Sequence, residues 1–527
     1  METKSIWKVN TQEKVLPKLN QDISCDILIV GGGIAGLSCA YYLKDTNRKI
    51  VLIDKNTCGS GATGYNTGKL TWMQDLIYHK IEKNYDTKTA LLYLESQKEA
   101  IKLINDIVKD NHIDCNLTKT KAYVFTDQEK NYEKFNKEIK FYQENNIKYK
   151  INNQLPITYP SKLVIETDDN SFVFNPYKYL IELKEKVKNN IKIYEKTRCV
   201  SIDTKDGYYL ARTLDNYVIK SKIIIVTTHY PIFIVPYFIP FKTEVKKFFL
   251  VAGEVKSKKD VQILSNGNPS ISMRYYSDKE NNYFIYGRNS HSTTKKLDIR
   301  DDYRTITEEY KTFFKKEANF FFHTHDLMTY DDMPLIGEVK PNLYIATGFN
   351  KWGNTNGTIS GKIISDLIIK KENKYCEIFS PKRGLSLDKI KNIPEDFTGI
   401  FIVEESYYET NGKKHASSHI FLFTEEKEGI LLSSYEIPAG ADKNTFTYDS
   451  MLPVEYSELK KSEKFTPALY QEKDGFWEGG SVSQFTPVVI FRLWEKFSDA
   501  CLEVSESMEV NGKRTFGYDV PIIYKRV

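Results

Sequence analysis

An α/β fold carrying an extra antiparallel sheet, followed by a separate all-β unit, is what this 527-residue chain predicts. Three observations carry the prediction. A Gly-rich turn, GGGIAGLSCAYYL (31–43), lies between two short apolar runs, DILIV (26–30) and IVLID (50–54). Within 242–330, stretches such as PSISMRYYSD and NNYFIYGRNSH alternate in the manner of half-buried strands. Beyond SPKRGLSLDKIKNIPED (380–396), a polar stretch with two prolines, the chain becomes a succession of short alternating runs.

The first observation reads as strand, turn, helix, strand and acid in order. Gly31, Gly33 and Gly36 form GxGxxG. The first glycine permits a sharp turn, the second lets the backbone approach a pyrophosphate, and the third lets the helix pack close to the sheet. Asp54 ends the second strand, 18 residues after Gly36, where it can accept from ribose hydroxyls. This is a Rossmann-like unit for a dinucleotide, and the spacing alone does not separate FAD from NAD.

Three further stretches favour FAD. CGSGATGYNTGKLT (58–71) is a second small-residue loop suited to a long cofactor. IKIYEKTRCVSI (191–202) and YVIKSKIIIVTT (217–228) supply strands of the kind that close flavoprotein sheets. In ATGFNKWGNTNGTISGKIISDLI (346–368), Ile359, Ile363, Ile364, Leu367 and Ile368 share one helical face, so a helix is predicted from near Gly357. The loop before it brings bare N–H groups to the helix start, which attracts negative charge. A reduced flavin gains such charge at N1 and the C2 oxygen, and the dipole contributes about 0.3–2 kcal/mol. The alternative is a loop turning into a core helix, with Trp352 as a packing residue. A second GxGxxG is not found, so no NAD(P) domain is expected.

Composition narrows the class. Apolar residues make up 41% and charged ones 28%, as in soluble globular chains. Seven scattered cysteines without a CxxC pair suit a reducing, cytoplasmic setting. METKSIWKVNTQEKV lacks the apolar core of a signal peptide. IIIVTTHYPIFIVPYFIPF (223–241) is interrupted by His229 and three prolines, so a buried strand plus loop is expected there, not a membrane span. Net charge is +5, yet residues 396–527 carry about −8 and the remainder about +13, which would allow two units to dock by charge. No Arg/Lys stripe with interleaved aromatics occurs, so a nucleic-acid partner is not expected.

DILIVGGGIAGLSCAYYL, GATGYNTGKLT, FVFNPYKYL (172–180), TTHYP (227–231), DDMPLIG (331–337) and ATGFNKWGNTNGT (346–358) follow one another over about residues 20–385. In that order they resemble the D-amino-acid-oxidase-like superfamily of FAD enzymes, which includes glycine and sarcosine oxidases. The resemblance is closer to a bacterial subgroup usually fused to a C-terminal Rieske domain. It implies that Gly31, Gly33, Ile34, Ala35, Gly36, Asp54 and Lys55 hold the ADP half of FAD. Thr63, Thr67, Gly68, Lys69 and Leu70 would run beneath the pyrophosphate and flavin, and Val200 would meet the adenine through its backbone. Gly348, Trp352, Gly353, Thr355, Asn356, Gly357 and Thr358 would surround the isoalloxazine. Three departures stand out. Gln74 replaces a His frequent in relatives, and Asn354 replaces a Met. Past residue 385 there are only Cys501, His415 and His419, too few for the two Cys and two His of a Rieske cluster, so that redox relay is not expected.

The domains implied are an N-terminal lead (1–24), a flavin enzyme (25–385), a linker (386–396) and an antiparallel β barrel or sandwich (397–527). Within the enzyme, FAD-binding parts span about 25–75, 190–235 and 330–375. Substrate and roof parts span about 76–189 and 236–329, the first mostly helical, with SQKEAIKLINDIVKD (96–110) read as a solvated face. Amine oxidation by flavin depends chiefly on holding the C–H bond near N5. Arg274 and Arg288 are candidate clamps for a substrate carboxylate, Lys69 a candidate for stabilising charge or assisting oxygen, and His291 and His229 candidate proton carriers. His323 and His325 in FFHTHD lack a third ligand, so no metal is expected. The expected function is oxidation of a C–N bond of an amine or amino acid, with electrons leaving to oxygen, a quinone or a protein. Two rivals are a flavin-bearing sensor whose β unit recognises a partner and an RNA-modifying flavoenzyme.

Overall fold

The computed structural model describes residues 4–229, 243–292 and 299–383 except for a few single positions, and beyond residue 400 the strands alone, without their side chains. The linker at 386–396 and the hairpin turns at Asn411-Gly412 and Asn511-Gly512 lie outside the described residues. Two compact units are formed. The main body of the first ends at Arg383, and that of the second starts at Gly384.

The first unit grows from its apolar runs. β1 (Ile23–Val30) has Ile27, Leu28 and Ile29 fully buried on both faces, which is why it reads as a continuous apolar run. α1 (Ile34–Leu43) leads to β2 (Ile50–Ile53), parallel to β1. β9 (Lys192–Tyr194) adds in parallel beyond β2, and β12 (Val218–Val226) lies parallel to β1 on its other side. β12 changes partner along its length. Residues 218–221 pair antiparallel with β11 (Tyr208–Thr213), which pairs with β10 (Cys199–Lys205). Residues 224–226 pair in parallel with β19 (Leu343–Thr347), itself antiparallel to β18 (Leu335–Lys340). α7 (Gly353–Ile368) returns from β19 and packs on α1.

A second sheet has the order β17 (Phe320–Thr329), β13 (Thr243–Val255), β16 (Asn282–Ser292), β15 (Ile271–Ser277), β14 (Val261–Ser265), β5 (Lys121–Thr126), β7 (Leu163–Thr167) and β6 (Lys150–Asn152). All its pairings are antiparallel except β14 with β5. One face carries Phe249, Val251, Met273 and Tyr286 against Tyr303, Ile306 and Tyr310 of α6 (Ile299–Phe314). The other carries Phe248, Leu250, Ile285 and Phe322 against Trp7, Tyr177 and Ile181. The region 76–189 holds α2 (Tyr78–Asn84), α3 (Thr87–Asp110), α4 (Tyr132–Glu144) and α5 (Pro176–Val187), yet it also gives three strands to this sheet. KAYVFT and LVIET are short β-branched and aromatic runs that the lysine-rich helices around them obscure. β3 (Lys69–Leu70), β8 (Phe172–Val173) and β4 (Thr118–Lys119) form a small third sheet, in that order.

In the second unit, β20 (Ile400–Ile402), β23 (His419–Glu426), β24 (Gly429–Glu436), β25 (Ala468–Lys473), β26 (Phe476–Val482), β27 (Val488–Ser498), β28 (Cys501–Val510), β29 (Lys513–Gly517) and β30 (Ile522–Arg526) form one antiparallel sheet. Its order is β27-β26-β25-β24-β23-β20-β30-β28-β29, and β27 also pairs with β28. β21 (Ser406–Thr410) and β22 (Lys413–Ser417) make a separate hairpin.

Candidate functional site

The turn between β1 and α1 leaves no room for a side chain at Gly31 or Gly36. Gly31 has φ +111°, and a Cβ there would stand 2.6 Å from the Thr227 carbonyl oxygen; at Gly36 it would stand 1.9 Å from that of Gly31. Thr227 Oγ1 ties the turn to β12 by donating to Val30 O at 3.1 Å and Gly31 O at 3.0 Å. Asp54 Oδ2 accepts from Gly32 N at 2.7 Å and Oδ1 from Asn56 N at 2.8 Å. Burial pushes its pKa up, and those two N–H donors work against the rise. The acid expected to meet ribose hydroxyls thus braces the turn with one lone pair of each oxygen. Lys55 beside it is exposed. Thr63 Oγ1 accepts from Ile34 N at 3.2 Å, at the opening N–H of α1. Val200 falls at a bulge in the β10–β11 ladder, where backbone groups are released from pairing.

α7 begins at Gly353, a turn before the start that its isoleucine spacing marks. Gly, Asn and Thr are poor helix formers, and here side-chain bonds hold them in place. Asn354 and Asn66 exchange two hydrogen bonds of 3.2 Å through their amides. Gln74 Nε2 donates to Thr355 Oγ1 at 3.1 Å and to Gln97 Oε1 at 2.8 Å, and Gln97 Nε2 donates to Asn356 Oδ1 at 2.8 Å. Ahead of the helix, Gly348, Asn350 and Lys351 all have positive φ, at 69°, 50° and 71°. Such strain is held only when the surroundings over-determine it. Asn350 supplies that by accepting from Thr329 N at 2.7 Å and donating to Thr329 Oγ1 at 2.8 Å. Trp352 occupies the N-cap, half-buried, and no side chain caps the first N–H groups of the helix. A Cβ on Gly357 would lie 2.6 Å from Ile34 Cγ2 and 3.3 Å from Ala35 N. The structure therefore brings Gly31–Gly36 and Gly353–Thr358 together, with Thr358 fully buried between them and the core.

Thr67, Gly68, Lys69 and Leu70 lead from the small-residue loop into β3. Gly68 has φ +63° and its N–H donates to Asn66 Oδ1 at 2.7 Å. Leu70 is fully buried. Lys69 is almost fully buried; its ammonium donates to Ser272 Oγ at 2.7 Å and to Ile263 O. Burial, then the nearby Arg274 charge, hold its pKa well below the usual lysine range.

Arg274 reaches the same loop, in a role other than the one expected. Its Nη1 donates to the carbonyl oxygens of Thr67, Gly68 and Phe174, and its Nε to Tyr275 O at 3.0 Å. Burial lowers its pKa to about 9. Nη1 and Nε are thus engaged by main-chain carbonyls, so that it binds the loop where a substrate clamp was expected, while Nη2 is buried without a protein partner. Arg288 pairs opposite Phe249, on the α6 face, and forms an ion pair with Glu309 of that helix. The strand alternation that made both arginines candidates sends them to opposite faces. His291 lies in β16 opposite Lys247, its side chain outside the described residues. His229 has φ 69° just past β12, and its carbonyl accepts from Thr347 Oγ1. His323 shares a 3.0 Å hydrogen bond with Tyr303 OH on the α6 face, and burial, with His325 beside it, pushes its pKa down to about 4.

Several site residues escaped the sequence reading. The lysine-rich pattern predicts a solvated face for Gln97 and Ser96, yet both are fully buried. The signal was present, because Gln97 sits in line with Tyr93, Ala100, Ile101 and Ile104, an apolar stripe at helical spacing. Asn66 stands inside the loop already singled out. On the roof face opposite α6, Lys246 pairs with Asp326 and Phe248 with Thr324, and Lys351 Nζ stands 5.5 Å over the Phe248 ring. Burial raises the Asp326 pKa to about 6, with the Lys351 charge opposing.

This donor set fits FAD. Two helix starts converge, one behind a glycine cradle that Cβ atoms would fill and the other without a side-chain cap, and first-turn N–H groups of this kind suit the phosphate and carbonyl oxygens of such a cofactor. Among the described residues, no helix is long and apolar enough to cross a membrane.

Known proteins agree with this geometry. The family model described as FAD dependent oxidoreductase matches residues 26–367. YhfW of Bacillus subtilis, named as a Rieske 2Fe-2S iron-sulfur protein, is 32% identical over 384 residues, covering 72% of this chain and 75% of the relative. The gamma-glutamylputrescine oxidoreductase of Escherichia coli is 29% identical over 143 residues, 25% of this chain and 34% of that one. Glycine oxidase from Geobacillus kaustophilus superimposes with a TM-score of 0.58 at 15% identity, over 69% of this chain and all of that one. L-proline dehydrogenase from P. horikoshii gives 0.55 at 16% identity, over 70% and 98%. These two likenesses concern the fold. The family match spans well over half of the chain and includes both helix starts, so this chain belongs to the FAD dependent oxidoreductases and takes FAD as its cofactor.

Proposed function

We propose that the protein oxidises a C–N bond of an amine or amino acid and passes the electrons to oxygen, a quinone or a protein acceptor. FAD, when bound, supplies the hydride acceptor at N5. Gly31, Gly33, Ile34, Ala35, Gly36, Asp54 and Lys55 hold its ADP half, with Val200 at the adenine. Thr63, Thr67, Gly68, Lys69 and Leu70 follow the pyrophosphate and flavin. Gly348, Trp352, Gly353, Thr355, Asn356, Gly357 and Thr358 surround the ring. The carrying observation is the convergence of the α1 and α7 starts through Gly357, Ile34 and Ala35, beside a roof sheet with polar and aromatic side chains on its inner face. Phe248 and Lys351 would shape the substrate space, and Asp326, near half-ionised at about pH 6, would exchange a proton with a substrate amine. The named amine and amino-acid enzymes among the similar proteins support this class.

The flavin enzyme would occupy residues 25–385, followed by a linker and a C-terminal β barrel, a reading supported by strand pairings that return on themselves through β27 and β28. Six unpaired cysteines among the described residues support a reducing compartment. Anaerobic titration of the yellow protein with a panel of amines, amino acids and hydroxy acids tests the proposal. Bleaching by amines or amino acids is the expected result. Bleaching by hydroxy acids alone, or by none of the panel, would overturn it. Re-oxidation by oxygen, a quinone and a protein acceptor in parallel then identifies the electron sink.

A further inference from the structure

Residues 4–8 make contacts that neither glycine motif explains. Ser5 caps a short 3-10 turn, Ile6–Lys8, whose Trp7 is completely buried. The Trp7 indole N–H donates to Asn66 O at 2.7 Å, and Ser5 Oγ donates to Gly64 O at 2.7 Å. The Trp7 ring meets Tyr276 edge-on at 4.9 Å, and the Arg274 guanidinium stands 5.3 Å from its centroid. Lys8 Nζ lies 4.5 Å over Tyr65 and 5.1 Å over Tyr177. Lys4 N donates to Phe321 O of β17 at 2.8 Å, which fastens the segment to the roof sheet.

Together these contacts fix the direction in which the small-residue loop faces. The carbonyls of Gly64, Asn66, Thr67 and Gly68 are all taken by donors from outside the loop, namely Ser5, Trp7 and Arg274. With its acceptors turned to these donors, the loop leaves its other side to a cofactor rich in phosphate and carbonyl oxygens. Asn66 carries the restraint onward through its paired bonds to Asn354 in the first turn of α7.

We propose that residues 4–8 form a strap that completes the flavin pocket, with Trp7 as a positioning residue that sets Asn66 and, through it, the first turn of α7. The proposal rests on the reading that this loop and this turn hold FAD. A double-mutant cycle tests it, with Trp7→Phe, which keeps an aromatic ring but removes the N–H, and Asn66→Ala. The readouts are the FAD dissociation constant of the apoprotein by fluorescence titration and the flavin midpoint potential. Trp7→Phe is expected to weaken FAD binding about tenfold, as loss of one buried hydrogen bond implies, and to shift the potential in the same direction as Asn66→Ala. The double variant should be no worse than Asn66→Ala alone, because Trp7 acts through that residue. Wild-type affinity and potential in Trp7→Phe, or effects that simply add, would overturn the strap while leaving the flavin site intact. A wild-type chain that takes up no FAD would overturn both.

Discussion

Replacing Gly361 by alanine tests the contact that brings the two cofactor-facing helices together. A Cβ at this position would lie 2.4 Å from Ser38 Cβ, 2.7 Å from Ser38 C and 2.8 Å from Cys39 N. Carbon atoms pack favourably at about 3.5–4 Å, so α1 and α7 must part by roughly 1 Å along that line. Two of the three atoms are main chain and cannot swing aside. Overpacking of this kind costs about 1–3 kcal/mol, and alanine returns about 1 kcal/mol through its helix propensity. The expected balance is a loss of up to about 2 kcal/mol, read as a lower urea midpoint of the apoprotein with an unchanged m-value. Holoprotein should also bind FAD more weakly, since the separation of the two helix starts changes. Ser38→Gly in the same chain removes the nearest clashing atom and should recover part of the loss. Gly61→Ala, where a Cβ would meet nothing within 4 Å, is the control and should be close to neutral. If Gly361→Ala matches wild type in both midpoint and FAD affinity, the close crossing of α1 and α7 is refuted.

Four other perturbations probe different parts of the site. Lys184 and Glu195 form a 3.1 Å ion pair with both side chains fully buried, so Lys184→Ala should destabilise by about 3–5 kcal/mol in urea, as stranding a buried charge does. Burial works to raise the Glu195 pKa, but N–H donors from Cys58 and Leu16, with Lys184, outweigh it and hold it below the usual range. Its stabilisation is therefore present above the ordinary carboxylate pKa and lost as pH falls through the folded value, an acid-side slope that Glu195→Gln should flatten in urea titrations. His323, lowered from 6.5 to about 4, stays neutral when folded while the unfolded chain takes up a proton, so stability should fall as pH drops from 6.5 toward 4, and His323→Gln should reduce that fall. Arg274→Lys cannot reproduce the planar group whose Nη1 holds Thr67, Gly68 and Phe174 while its Nε holds Tyr275 O; it should weaken FAD binding by more than about tenfold and leave the substrate KM at saturating FAD unchanged, whereas a substrate clamp would show the reverse.

How much could be read in the sequence depended on how local each cause is. The β1–α1–β2 turn was legible because its requirement is steric and confined to one stretch: Gly31 and Gly36 face main-chain oxygens that admit no Cβ. The face of α7 was legible from its isoleucines, but its start was not, because Gly353–Asn356 become helical through bonds to Asn66, Gln74 and Gln97, which lie far away in the chain. Arg274 and Arg288 look equivalent in alternating strands. Only the register of β15 and β16 separates them, giving one to the Thr67–Gly68 loop and the other to Glu309. Gln97 shows a weakness of charge-based reading. The lysines around it in α3 suggested a solvated surface, while its own position followed the apolar stripe.

The tight seam of Gly357 and Gly361 against Ile34, Ala35 and Ser38 also has a metric consequence. The two helices meet there with no space for a Cβ, so main-chain contact sets their separation at the seam. On the proposed flavin reading, that fixed separation would favour ligands by their span. A molecule bearing both a diphosphate and a distant tricyclic head would reach both helix starts, whereas riboflavin monophosphate, with a single phosphate, would leave N–H groups behind the glycine turn without a partner.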